Sequence, residues 1–217
     1  MSVKPDWSKA TRALGTDYHI TRITFKNHGC CGHTFPSIDA VQALKEKHKL
    51  DHKQICKIHI ATYQGGLDVV NNYEPEGDYQ AKFSLPYVVA HALVYGPVRL
   101  DAYGPEKLGN PAIRELMKKI ELSADPELSK AFPGQRAAKV EIELNDGRRL
   151  SHFQETRKGD PELPLTDDEV NDKFLELAVP VVGDTAAHAL LKDLWQTERL
   201  ANVDFEPSTR QPARAAG

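Results

Sequence analysis

The segment with the densest chemical functionality is FKNHGCCGHTFPSIDA, residues 25–40. It places one lysine, two histidines and two adjacent cysteines beside two glycines, just ahead of an apolar run. Side chains of these types bind metals, act as nucleophiles, form redox pairs or bind anions. Which chemistry is available depends on how the neighbouring elements position the groups.

The thiols give three alternatives. A zinc site needs three or four converging ligands, but adjacent Cys30 and Cys31 project in different directions and no Cys-x-x-Cys pair follows. The remaining thiol, Cys56, shares the apolar face of a predicted strand with Ile58 and Ile60 and is expected to be buried in the core. No metal is therefore expected. A redox pair is disfavoured because vicinal cysteines form a strained bridge. A nucleophile activated by His28 or His33 stays open, although no group that would orient the histidine is recognisable.

Two further interpretations of the segment also stay open. In one, it is a tight, glycine-punctuated turn from a strand to a helix, with small and mostly buried side chains. In the other, the turn leaves backbone N–H groups at the positive end of a helix that opens at Pro36. Lys26 precedes that turn, while His28 and His33 flank the glycines. Such an arrangement would hold a small ligand that carries a carboxylate.

Hydrophobic periodicity predicts the elements that must position this segment. Alternating patterns predict strands at ITRITF (20–25) and QICKIHIATY (54–63), and a hairpin over 138–156 that turns at Asp146-Gly147. Helical spacing and caps predict a helix that begins near Pro36 and a second that follows the cap Ser84 and stops at Gly96. A third is predicted after the cap Asn110, with an apolar stripe that extends to Ile120. The prediction is an α+β fold, with an antiparallel sheet of about four strands and helices on one face.

After the hairpin the spacing of apolar residues becomes helical throughout, and this change predicts the domain organisation. We assign residues 1–17 to an N-terminal segment, 18–157 to the α+β domain, 158–165 to a linker, 166–202 to two C-terminal helices and 203–217 to a disordered tail. The sequence TDDE, starting at Thr166, predicts a capping box, and Asp184 is predicted to cap the last helix. Two amphipathic helices cannot enclose a core alone. They must pack on the α+β domain or on a structure outside this chain.

Composition excludes several classes of function. The net charge is −3, the pI is about 6.3, and lysines and arginines are scattered, which argues against binding to nucleic acid or an anionic membrane. No apolar run approaches the roughly 18 residues of a membrane-spanning helix, and the N-terminus lacks the apolar stretch of a signal peptide. An odd number of cysteines, three, argues against a disulfide framework. A cytoplasmic location is expected.

Several stretches, in this order, resemble the MmgE/PrpD family, which includes 2-methylcitrate dehydratases and, as relatives, cis-aconitate decarboxylase and iminodisuccinate epimerase. They are FKNHGCCGHTFPSIDAVQAL, QAKFSLPYVVAHALVYG, NPAIRELMKKIEL and AAKVEIELNDGRRLSHFQETRKGDPELPLTDDEVNDKFLELA. The resemblance implies an enzyme with a large all-helical domain, an α+β lid domain, and an active site between them that uses neither metal nor organic cofactor. The chain is similar to the lid plus the helices that return to an otherwise missing helical domain.

The resemblance also implies roles for individual residues. Lys26 matches a lysine that the family's lid places in the active site, where it would bind a substrate carboxylate and stabilise enolate-like charge. His33, with Cys31 and Gly32 in the same turn, is expected to contact the substrate; His33 would donate a proton or serve a local structural role. Ser84 is expected to face the same region.

One position departs from the family. Many members have proline before the two cysteines, where this chain has Gly29, which indicates a different turn shape and substrate choice.

Two classes of function follow. The first is the C-terminal half of a lyase or isomerase that abstracts a proton next to a carboxylate of a small di- or tricarboxylic acid resembling 2-methylcitrate, with elimination or epimerisation. It would need a separate N-terminal helical subunit, in a homo- or hetero-oligomer, because the family's acid–base residues lie mostly on that part. The alternative is an inactive orphan lid domain that acts as a binding or interaction module.

Overall fold

A computed structural model describes residues 6–200 and 202, and these divide into two compact units between Pro164 and Leu165. The first unit contains a four-stranded sheet with helices, and the second contains two long helices. Within the described ranges, no helix combines the length and apolar character needed to cross a membrane.

The sheet confirms the α+β prediction with four strands. Its members are β1 (Ile55–Thr62), β2 (Ile120–Ala124), β3 (Ala138–Leu144) and β4 (Arg149–Gln154), in the spatial order β2-β1-β3-β4. Strand β1 pairs parallel with β2 and antiparallel with β3, and β3 pairs antiparallel with β4. The sheet is therefore mixed rather than antiparallel throughout. The hairpin between β3 and β4 turns at Asp146-Gly147 as predicted, with Gly147 at φ +84°.

The helices follow the predicted caps closely. They are α1 (Phe35–His48), α2 (Gln64–Val70), α3 (Asp78–Ala81), α4 (Leu85–Tyr95), α5 (Pro105–Leu108), α6 (Pro111–Met117), α7 (Pro126–Ala131), α8 (Asp167–Val182) and α9 (Asp184–Leu194). The side chain of Asn110 accepts hydrogen bonds from the first turn of α6. Gly96, at φ +96°, ends α4 as predicted.

The core lies between one face of the sheet and the helices. Helix α1 packs across β3 and β4, and α4 packs against α1 and α6. Inward-facing strand residues such as Ile58, Ile60 and Ile142 are completely buried, and each contributes about 1.5–3 kcal/mol through that burial. The opposite face carries charged pairs, among them Lys57 with Glu121 at 2.8 Å. The prediction of helices on one face agrees with this arrangement.

The strand predicted at 20–25 is wrong. His19–Arg22 is a short 3-10 helix, and the residues after it, beginning with Ile23 in extended conformation, join no strand of the sheet. Ile23 and Phe25 are 45% and 57% exposed. An alternating pattern is compatible with a strand, but a strand also needs a neighbouring strand to pair with. Here the Phe25 amide donates instead to the carbonyl oxygen of Gly159, a loop residue, at 2.8 Å.

Two details around the sheet also differ from the predictions. Cys56 is exposed rather than buried, because the register of β1 against β3 shifts between Ile55 and Lys57. This bulge turns Cys56 and Lys57 outward together, so the strict alternation fails at that point. Ile120, predicted to extend the stripe of α6, instead begins β2.

The second unit is a pair of helices. The capping box at its start is confirmed, since Thr166 and Glu169 bond each other's backbone N–H groups. The cap of α9 is Gly183, one residue before the predicted Asp184. Ala187 is buried, while Val181 is 79% and Trp195 49% exposed. The tail predicted to be disordered, 203–217, lies outside the described residues.

Candidate functional site

Backbone hydrogen bonds hold the turn after Lys26 in place. Gly29 N donates to Val98 O at 2.9 Å, and Cys31 N donates to Lys82 O at 2.9 Å. Helix α1 then begins at Phe35 with proline in its first turn and without a side-chain cap on its backbone N–H groups. The predicted turn into a helix is therefore present, although the segment that leads into it is not a strand of the sheet.

A cleft of about 280 Å³ opens beside this turn. Its lining residues are Thr24, Lys26, Cys31, Gly32, His33, Phe35, Arg136 and Arg157. The structure thus brings together four of the five predicted site residues. Three cationic side chains share the cleft, which gives it the charge and size suited to a small anionic molecule.

The fifth predicted residue, Ser84, does not line this cleft. Its side chain is completely buried and caps α4, accepting from Tyr87 N at 3.1 Å and donating to Asn72 O at 2.5 Å. A hydroxyl that is buried and bonded in this way positions a helix rather than a ligand. The prediction of substrate contact by Ser84 is therefore not supported by its position.

The two neighbouring thiols have different environments. Cys30 is buried, with its Sγ 3.1 Å from Thr34 Oγ1, and burial raises the pKa of its thiol to about 12. Cys30 therefore stays protonated and is a poor nucleophile at neutral pH. Cys31 is half-buried and lines the cleft. Within the part of the chain that is described, no three His, Cys, Asp or Glu side chains are grouped to hold a metal ion.

His28 helps to position the turn and does not line the cleft. It is buried, and its Nε2 lies 3.1 Å from Asp39 Oδ1, in α1. The second carboxylate oxygen of Asp39 accepts from Lys158 N at 2.8 Å. Asp39 therefore joins the turn, α1 and the loop that follows β4.

His33 lies at the edge of the cleft with one nitrogen already engaged. Its Nδ1 is 2.8 Å from the hydroxyl oxygen of Tyr63, whose ring stacks on Phe132 with centroids 4.6 Å apart. Burial, helped by the nearby charges of Arg136 and Arg157, lowers the pKa of His33. At neutral pH the imidazole is therefore uncharged, and Nε2 is the ring nitrogen that remains for a ligand.

The two arginines of the cleft were missed by the sequence predictions. They lie more than 100 residues after Lys26, and no spacing rule relates positions so far apart. Arg157 directly precedes the predicted linker 158–165, and the sequence assigns no site residue to either. The one local signal is the Arg-x-x-Asp spacing of Arg157 and Asp160, whose side chains form an ion pair at 2.6 Å.

Gly159 joins the loop that carries Arg157 (residues 157–160, the arginine loop) to the segment that ends at Lys26 (residues 24–26, the lysine segment). Its backbone has φ +99°, and a Cβ at this position would overlap the carbonyl oxygen of Phe25. Its own carbonyl accepts the hydrogen bond from Phe25 N, and Thr24 Oγ1 donates to Asp160 Oδ1 at 2.5 Å. Because of this close contact, residues distant in sequence reach the same cleft.

The fold and the cleft together define an α+β domain with a small cleft lined by three cationic side chains. Its sequence places it more narrowly: the model of the MmgE/PrpD C-terminal domain matches residues 28–197, and the chain belongs to the MmgE/PrpD family. This confirms the resemblance found in the sequence motifs.

The chain is similar to several curated relatives. It is 28% identical over 211 residues to the cis-aconitate decarboxylase-like protein oryM of Aspergillus oryzae, covering 92% of this chain and 42% of that protein. It is 27% identical over 153 residues to cis-aconitate decarboxylase of Mus musculus, covering 68% of this chain and 31% of the mouse protein. For the Aspergillus terreus enzyme of the same name, identity is 21% over 200 residues, with coverage of 88% and 41%. The chain thus spans less than half the length of these relatives.

Proposed function

We propose that this chain supplies the lid part of a lyase that acts on a small di- or tricarboxylic acid. The single observation that carries the proposal is the cleft of an MmgE/PrpD domain in which Lys26, Arg136 and Arg157 converge. The reaction would begin with proton transfer at a carbon next to a carboxylate. The names of the relatives favour decarboxylation of an acid such as cis-aconitate, alongside the elimination or epimerisation predicted from the family.

The cleft suits stabilisation of the charge that such a reaction develops. Removing a proton next to a carboxylate moves negative charge onto the carboxylate oxygens, and a nearby ammonium lowers the energy of that state. Lys26 is the group proposed for this role. His33, neutral and held by Tyr63, would contact the substrate or donate a proton through Nε2.

The proton-abstracting base is proposed to come from another part of the assembly. The described residues that line the cleft include no Asp or Glu. A helical MmgE/PrpD domain, supplied as a separate subunit, would provide the base and close the cleft over the substrate.

Exposed apolar residues in the second unit support the proposal of such a partner. Leu177, Val181, Leu194 and Trp195, in or next to α8 and α9, are 39% to 79% exposed. Exposed apolar residues of this size mark interaction surfaces. We propose that they pack against the helical subunit.

Turnover in D₂O tests the proposal, because elimination, epimerisation and decarboxylation all make or break a carbon–hydrogen bond. The full chain is incubated with 2-methylcitrate or cis-aconitate, alone and with the part of the A. oryzae relative that this chain does not cover, and NMR follows both the product formed and any deuterium it carries. We expect no turnover by the chain alone and turnover by the complex. In the complex, Lys26→Ala should lower the rate about 10²-fold or more, the scale of losing one charge-stabilising donor.

Two further variants test whether the effect is specific to the ammonium group of Lys26. Lys26→Arg should restore little of the rate, because a guanidinium places its charge and donors differently from an ammonium. Lys57→Ala is the matched control, since this exposed lysine lies on β1 and does not line the cleft. Turnover by the isolated chain that Lys26→Ala leaves unchanged would contradict the split site. A complex that assembles but never turns over would favour the orphan binding module.

A further inference from the structure

Arg157 is held in a fixed orientation at the wall of the cleft. It is 7% exposed, and its Nε and Nη2 donate to Asp160 Oδ2 and Oδ1 at 2.9 and 2.6 Å. Nη2 also donates to Thr24 Oγ1 at 3.0 Å. These bonds use one edge of the planar guanidinium and leave Nη1 on the other side.

Nη1 lies where a ligand in the cleft can reach it. It is next to Gly32: a Cβ built on that glycine would be 3.2 Å from Nη1. Gly32 itself lines the cleft. Among the described residues, Nη1 has no hydrogen-bond partner.

Asp160 stays charged and keeps the arginine in place. Burial alone would raise the pKa of Asp160, but the hydrogen bonds from Arg157 and Thr24 outweigh burial and lower it. The bidentate contact removes rotational freedom from the long arginine side chain before any ligand arrives, which makes the remaining donors more effective.

We propose that Arg157 is a second carboxylate-binding residue: Nη1 binds one carboxylate of the acid while Lys26 binds another, and Asp160 positions Arg157 for this contact. The assignment rests on the proposed function for the identity of the acid, but it makes its own prediction about binding. A ligand with two carboxylates on adjacent carbons should be preferred over one in which a methyl group replaces one of them. A Cβ at position 32 would lie 3.2 Å from Nη1, so an alanine there would displace the guanidinium by a few tenths of an ångström.

The test compares maleate with isocrotonate, which differ by one carboxylate, in NMR titrations of the full chain. Wild type should bind maleate more tightly. Arg157→Gln should weaken maleate binding about 10- to 100-fold, the range for a hydrogen bond to a charged group, and leave isocrotonate binding unchanged. Gly32→Ala should act in the same direction without changing any charge. Gly77→Ala is its control, because a Cβ there meets nothing within 4 Å.

Asp160→Asn tests the positioning role. It retains one side-chain oxygen that can accept from Arg157 but loses the negative charge, so maleate binding should fall less than in Arg157→Gln. The imidazole resonances of His33 report whether the cleft is intact in each variant. In a folded Arg157→Gln protein the pKa of His33 should rise, because one of the charges that lowers it is gone.

Three outcomes would overturn the inference: no preference for maleate in the wild type, an unchanged preference in folded Arg157→Gln, or equal weakening of both ligands. These titrations involve no turnover, so they separate this inference from the proposed reaction. If the complex is active and sensitive to Lys26→Ala while Arg157→Gln keeps the full maleate preference, only the assignment of Arg157 is wrong. If Arg157→Gln abolishes the preference but no complex is active, the binding role stands without the reaction.

Discussion

Replacing Gly159 by alanine tests how the cleft is assembled. Gly159 holds φ +99°, and an added Cβ would overlap the carbonyl oxygen of Phe25. The same pair of residues is joined by the hydrogen bond from Phe25 N to Gly159 O at 2.8 Å. Alanine must therefore push the lysine segment and the arginine loop apart.

The magnitude follows from two contributions. A non-glycine residue in a sparsely populated backbone region costs about 1–3 kcal/mol. Loss of the Phe25–Gly159 hydrogen bond adds about 1 kcal/mol. We expect Gly159→Ala to lower the free energy of unfolding by about 2–4 kcal/mol, and to weaken carboxylate binding because Lys26 follows Phe25 directly.

Urea unfolding of the full chain, followed by circular dichroism, measures this change. Gly96→Ala is the matched control, since Gly96 has nearly the same φ, +96°, but a Cβ there meets nothing within 4 Å. This control separates the free-energy cost of alanine at a positive φ from the cost of the steric overlap with Phe25. Gly159→Ala should therefore destabilise by about 1 kcal/mol more than Gly96→Ala and should expose the Phe25 amide to hydrogen exchange. Equal destabilisation by the two variants, with the Phe25 amide still protected, would contradict the close contact between Gly159 and Phe25.

Three further predictions concern stability. His91 is 1% exposed, and burial, together with the smaller effect of the charge of Lys107, lowers its pKa from 6.5 to about 4. Between these two pH values the unfolded state binds more protons than the folded state, so the free energy of unfolding should fall by up to about 3 kcal/mol as the pH drops through this window. His91→Leu should therefore flatten the pH profile of urea unfolding, whereas His48→Leu, at an exposed position, should not. Thr166→Ala should cost about 1 kcal/mol by removing the capping box and should speed hydrogen exchange at the start of α8; unchanged exchange there would count against the cap. Cys30→Ser should destabilise by about 1–3 kcal/mol because it places a hydroxyl in a buried site, while Cys56→Ser, at an exposed site, should stay within about 0.5 kcal/mol in the same unfolding assay, and similar losses in both would contradict the assigned burial.

Local signals were sufficient for much of the fold. Helix α4 begins after the predicted cap Ser84 and ends at Gly96, and the β3–β4 hairpin turns at the predicted Asp146-Gly147. In each case the stop or start depends on a residue's own backbone preference, so neighbouring sequence carries the information. The turn after Lys26 was predictable for the same reason.

The errors arose where structure depends on residues distant in sequence. The alternating segment 20–25 is not a strand because it pairs with the loop at Gly159, and the periodicity contains no information about that partner. Cys56 is exposed because of a bulge that depends on the register against β3. Arg157 joins Lys26 in one cleft only through contacts that cross more than 100 residues of chain.

The proposed function and the proposed role of Arg157 both require that the cleft beside Lys26 binds carboxylates. The most direct measurement is a titration of the isotopically labelled full chain with cis-aconitate, followed by amide and side-chain NMR resonances. We expect saturable shifts in residues 24–33 and 157–160, and their loss in Lys26→Ala. Shifts confined to the open face of the sheet around Lys57, or shifts in the cleft that Lys26→Ala leaves unchanged, would contradict it.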